Sequence, residues 1–202
     1  MKTYIKTIIA ASVSAIMLST SAFATTIPVN TITVSPVKKA KLANFRKISV
    51  KGNVEVTLVQ GTKMSISYSD DNLGSAKVIR NGDLLQISAS SNEPTKLILC
   101  VNDLFRIEAS ENASIKTQGK LNTQFLQIFL KENAVADINT TSQGLYTVIS
   151  DNANLKLSGA TDDHTLIISE TPKLTMDRFA ALNTTTSSFQ ANAVEKEIAK
   201  AK

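Results

Sequence analysis

The sequence predicts an all-β fold, a β-solenoid in which parallel coils of about twenty residues stack on one another. Three observations lead there. A short phrase recurs as Ser110-Glu111-Asn112-Ala113, Lys131-Glu132-Asn133-Ala134 and Ser150-Asp151-Asn152-Ala153, with a weaker copy in Ser169-Glu170-Thr171-Pro172; corresponding residues lie 21, 19 and 19 apart. Around each copy, apolar and polar residues alternate, as expected of strands with one buried face. Helical periodicity is absent from Phe45 to Leu174.

Taken in order, residues 1–24 have the form of a secretory signal peptide. Lys2 and Lys6 are followed by an apolar run from Ile8 to Leu18 and a small-residue site at Ala22-Phe23-Ala24. The run is short of the ~20 residues needed to span a bilayer, and no second long apolar run follows, so an exported chain without a transmembrane segment is expected. Cleavage would remove two lysines and no acid, lowering the net charge from +5 to +3. That weak, dispersed excess fits ordinary solubility and argues against a nucleic-acid partner.

Residues 25–44, rich in Thr, Pro and Lys, read as a leader or linker. Pro28, Pro36, Lys38, Lys39 and Lys41 are residue types that blunt a sheet edge. The repeat domain is expected over 45–174. "FRKISVKGNVEVTLVQG" alternates on both sides of Gly52-Asn53, and Asn81-Gly82-Asp83 marks a tight turn. Further on, "LQIFLK", "YTVIS" and "HTLIIS" precede the repeated corners, while "VADIN" and "NLKLS" follow them. In parallel coils, Asn112, Asn133 and Asn152 would stack at one corner, where Asn tolerates left-handed backbone and can form an amide ladder.

Residues 175–202 are expected to form a tail or cap, ending in a short helix or a frayed segment with Val194 and Ile198 four apart. Leu182, Phe189 or Val194 is the expected cover for the last coil. Cys100 is the sole cysteine, so no intramolecular disulfide forms. Within "KLILCV" it reads as a small hydrophobe, with an intermolecular bridge or a reactive thiol as the alternative.

The stretches "FRKISVKGNVEVTLVQG", "SYSDDNLGSAKVIRNGDLLQIS" and "VISDNANLKLSGATDD" resemble the putative auto-transporter adhesin head GIN domain family, DUF2807. The resemblance spans about Phe45 to Leu174 and implies a single-stranded right-handed parallel β-helix with an adhesin-like role. Corners often rich in Gly and Ser in that family are Glu-Asn-Ala or Asp-Asn-Ala here. An auto-transporter also needs a membrane barrel, and the residues after Leu174 are too few for about eight strands.

Among chemical constellations, the foremost is an acidic column of Glu111, Glu132, Asp151 and Glu170, each preceding the corner residue. Hard oxygen ligands in a row could hold Ca²⁺, but Lys116, Lys131, Lys156 and Lys173 lie close in sequence, and a solvated, lysine-compensated face is the preferred reading. His164 is the single histidine and is read as part of a polar turn in Asp162-Asp163-His164. Asp162, Asp163, Asp177 and Arg178 are the nearest approach to a lyase-like acid and base cluster. No catalytic, cofactor-binding or metal site is assigned. The expected function is an exported, non-catalytic interaction module whose partner is a protein or polysaccharide of the cell envelope or matrix. The alternative is a polysaccharide-active or degenerate β-helix enzyme.

Overall fold

The computed structural model describes residues 30–32, 40–42, 44–89 and 92–188. The expected signal peptide, most of the expected leader, Phe189, Val194 and the expected terminal helix lie outside the described residues. Every regular element described is a strand. The first seven are β1 (Asn30–Ile32), β2 (Ala40–Lys41), β3 (Lys47–Gly52), β4 (Val54–Gln60), β5 (Ser65–Tyr68), β6 (Lys77–Asn81) and β7 (Leu84–Ala89). Then come β8 (Thr95–Val101), β9 (Arg106–Ser110), β10 (Ser114–Gln118), β11 (Leu121–Asn122) and β12 (Phe125–Leu130). Three long strands finish the fold: β13 (Val135–Ile149), β14 (Asn154–Ile168) and β15 (Lys173–Ser188). All belong to one sheet.

The repeats pair in parallel. One row of partners runs Val50, Ala109, Leu130, Ile149, Ile168 and Ser188 across β3, β9, β12, β13, β14 and β15. A second runs Leu97, Val56, Ile115, Ala136, Leu155 and Leu174 across β8, β4, β10, β13, β14 and β15. Because side chains alternate faces along a strand, these rows turn Ile, Leu, Val and Ala inward. The sheet curls so that both rows contribute to a single apolar core. A fully buried Leu or Ile contributes about 1.5–3 kcal/mol relative to exposure, so these inward rows dominate the stability.

The expectation of parallel pairing throughout is not met. β6 pairs antiparallel with β7 and with β1, and β5 pairs antiparallel with β8 and with β2. The class established is an all-β mixed sheet. For β6 and β7 the physical reason lies in the connection: Gly82-Asp83 joins them in two residues, with Gly82 at φ 60°. Such a short link supports only an antiparallel hairpin, whereas parallel neighbours need a longer crossover.

The repeated phrase forms the corner between consecutive strands, but its left-handed residue is the acid and not the asparagine. Glu111, Glu132 and Asp151 have φ of 59°, 61° and 58°. Each corner closes with a bond from the Ala N–H to the carbonyl three residues back, 3.2 Å for Ala113 to Ser110 and for Ala134 to Lys131. Positive φ confined to the first central residue is the type II′ pattern, which favours Gly. The first corner does carry glycine there, Gly52 at φ 85°. Ala113, Ala134 and Ala153 are fully buried, so the fourth residue of the phrase packs into the core.

After a register shift between Lys156 and Ser158, the strand β15 stays paired with β14 to Ser188, past the point where apolar alternation gives way to Asn183-Thr184-Thr185-Thr186. Backbone pairing with β14 holds this polar stretch in the sheet. Leu182 is 79% exposed and does not cover the last strand.

Candidate interaction surface

The acidic column is assembled at the corners, but its chemistry is internal. The Glu132 carboxylate accepts a 2.6 Å bond from the N–H of Glu111, and the Asp151 carboxylate accepts a 2.9 Å bond from the N–H of Glu132. The chain thus satisfies the amides of two left-handed residues, Glu111 and Glu132, with the side chain of the next repeat. Glu170, in the weakest copy, is exposed; there Thr171 Oγ1 donates to the Asp151 carbonyl instead. The compensating lysines differ from the expected set. Lys51 pairs with Glu111 at 3.1 Å and Lys131 approaches Glu132 at 3.9 Å, while Lys156 pairs with Asp137. These ion pairs are substantially exposed and add little. Asn112, Asn133 and Asn152 follow the acids at the same corner, with one long amide contact of 3.5 Å from Asn152 Nδ2 to Asn133 Oδ1.

His164 is not in a polar turn. It lies within β14, 2% exposed, with Nε2 3.2 Å from Thr147 Oγ1 and its ring edge-on to Phe179 at 5.3 Å. Burial pushes its pKa below the usual imidazole value. Alternation accounts for this placement, since His164 is the Cα partner of buried Leu145. Asp162 and Asp163 are exposed, and Asp163 accepts a 2.9 Å bond from Asn183. Arg178 lies on another stretch of β15, opposite Ser158. The structure therefore does not bring these acids and Arg178 into one cluster. Cys100 is free and half-buried on β8.

A groove that motif reading missed crosses the outward face of β3, β9, β12 and the second half of β13. It has a volume of about 470 Å³ and is lined by Ser49, Glu108, Phe129 and Val148, with Lys51 and Lys131 among its charged groups. Beside it, Arg106 lies 5.0 Å from the Phe129 ring centroid, donates to Gln127 Oε1 at 2.8 Å and pairs with Glu108 at 3.3 Å. Phe129 and Tyr146 meet at 5.8 Å on neighbouring strands. The result is a half-buried aromatic and guanidinium platform on a rigid sheet. Its signal was present in the sequence: if Ile128 and Leu130 point inward, Phe129 between them points out.

Residues 44–196 match the family described as "Putative auto-transporter adhesin, head GIN domain". The chain belongs to this family. Solved structures similar in fold include a "putative adhesin" from Parabacteroides distasonis, at TM-score 0.55 and 11% identity over 80% of this chain and 78% of that one. A "putative lipid binding protein" from the same organism aligns at TM-score 0.51 and 11% identity, covering 79% and 78% of the two chains. At such identities these likenesses concern the fold alone. No curated protein matches the chain.

Proposed function

We propose that the protein is an exported, non-catalytic, adhesin-like interaction module of the bacterial envelope or surface, in which the parallel rows serve as the coils of a β-solenoid stretch. The observation that carries this reading is the groove floored by Phe129 and Val148 beside Tyr146 and Arg106. Aromatic and arginine side chains on a pre-organised sheet are the groups that anchor binding surfaces. The groove's carboxylates are already engaged, Glu108 by Arg106 and Glu132 by the Glu111 amide. That favours binding over acid–base chemistry, which needs a carboxyl able to exchange a proton with substrate.

The reading is tested by coating beads with the protein and measuring their retention on envelope and matrix preparations. Retention well above that of albumin-coated beads is expected, and Phe129→Ser should abolish most of it. Retention equal to albumin, or turnover of a polysaccharide by the soluble protein, would refute the reading.

A further inference from the structure

We propose that a second groove, formed by β10 and the first halves of β13, β14 and β15, binds an anionic polysaccharide. This face is separate from the Phe129 groove, and the proposal does not depend on that one. The groove has a volume of about 520 Å³ and its lining includes Lys116, Lys120, Lys156 and Arg178 against a single acid, Asp137. Asp137 is taken by Lys156 at 2.9 Å. Lys116, Lys120 and Arg178 are exposed, and among the described residues none of the three forms an ion pair with a carboxylate. Three uncompensated cations therefore share one concave surface, where an anion is attracted more strongly than by scattered charges.

The backbone is arranged to produce this. Lys116, Asp137 and Lys156 are successive Cα partners, so the two lysines stand two strand spacings, roughly 10 Å, apart. On β15 the register then breaks: Lys156 faces Thr175, but Ser158 faces Arg178. In unbroken register Ser158 would face Asp177, placing a carboxylate in the groove. The extra residue moves Arg178 into that position, and bulges often re-aim a side chain in this way. Gly119, with positive φ and open space where a Cβ would stand, contributes no side chain to the groove lining.

The remaining lining groups select among anions. Asn139 and Ser158 add neutral hydrogen-bonding side chains to the lining, beside Thr117, whose hydroxyl accepts from the Asn139 N–H at 2.9 Å; such groups match the hydroxyls that accompany acidic groups along an acidic glycan. No aromatic ring lines the groove. Single-stranded nucleic acid and neutral sugars gain much of their affinity by stacking on aromatic rings, so this surface suits neither.

The test is biolayer interferometry of the protein on immobilised polygalacturonate, phosphorylated glucan, neutral dextran and single-stranded DNA. Binding to at least one of the acidic glycans is expected, at least tenfold tighter than to dextran and DNA, and weakening as salt rises. The two acidic polymers distinguish carboxylate from phosphate as the recognised group. The double variant Lys116→Gln/Arg178→Gln should lose at least tenfold in affinity with an unchanged melting temperature, while Lys63→Gln, which does not line the groove, should bind normally. Absence of binding to both acidic glycans, equal binding to dextran, DNA binding as tight as glycan binding, or full retention of binding in the double variant would each overturn the proposal.

Discussion

The carboxylate of Glu132 accepts a 2.6 Å hydrogen bond from the backbone N–H of Glu111, one repeat earlier in the chain. The acceptor itself has a left-handed backbone, φ 61°, which costs a non-glycine residue about 1–2 kcal/mol. The corner exchanges ease of turning for a charge-assisted bond between repeats. Glu132→Ala keeps the strain and loses the bond, so a loss of about 1–2 kcal/mol is expected. Glu132→Gly relieves the strain and should lie closer to wild type, while Glu132→Gln keeps an acceptor oxygen and should be mildest. Urea titration checks the ranking. If Ala proves no worse than Gly, the corner does not work this way.

The same engagement bears on calcium. With the Glu132 and Asp151 carboxylates already accepting backbone bonds, millimolar calcium should leave the melting temperature unchanged. A stabilisation by calcium that a chelator reverses, and that disappears in Glu132→Gln, would show that the column is an ion site.

Two glycines with the same backbone handedness should respond differently to substitution. A Cβ on Gly159 would lie 2.0 Å from the Thr140 carbonyl oxygen, whereas one on Gly119 would meet nothing within 4 Å. Gly119→Ala is expected to cost about 1 kcal/mol from backbone strain alone. Gly159→Ala should cost at least about 2–3 kcal/mol, because the strand pair must also separate. Thermal melts of the two variants compare them directly.

Burial lowers the pKa of His164 from its ordinary 6.5. The folded state then binds fewer protons than the unfolded state, so the contribution of this group to stability is complete above about pH 6.5. It should be lost progressively as pH falls from there towards the depressed folded value. Urea titrations at pH 7.5 and pH 5.5 should show lower stability at the acid end, and His164→Gln should narrow the gap. An unchanged gap would assign the pH dependence to other groups.

How much of this was legible beforehand follows from how each feature is encoded. The corners and their parallel register were readable because the phrase repeats near a fixed interval and each repeat buries the same parity. The antiparallel strands β1, β2, β5 and β6 lie where no phrase repeats, and only Asn81-Gly82-Asp83 announced a hairpin. The left-handed position was misplaced by one residue, because Asn is the usual non-glycine occupant while the bond that favours an acid there spans 21 residues. His164 was misread because its acidic neighbours suggested a turn, whereas strand parity buries it. The basic groove was hidden because a register break re-aims Arg178, and such a break leaves no mark in the pattern of residue types.

The most direct test of the proposed role is the affinity of the protein for fragments of bacterial envelope, with Phe129→Ser compared against Leu73→Ser. Leu73 is 79% exposed and lies away from the Phe129 groove, so its replacement controls for a general loss of apolar surface. An adhesin-like module binding through the Phe129 and Tyr146 platform should lose at least tenfold in affinity in Phe129→Ser, with Leu73→Ser and the melting temperatures unchanged. Equal binding by all three proteins, or none by wild type, would contradict it.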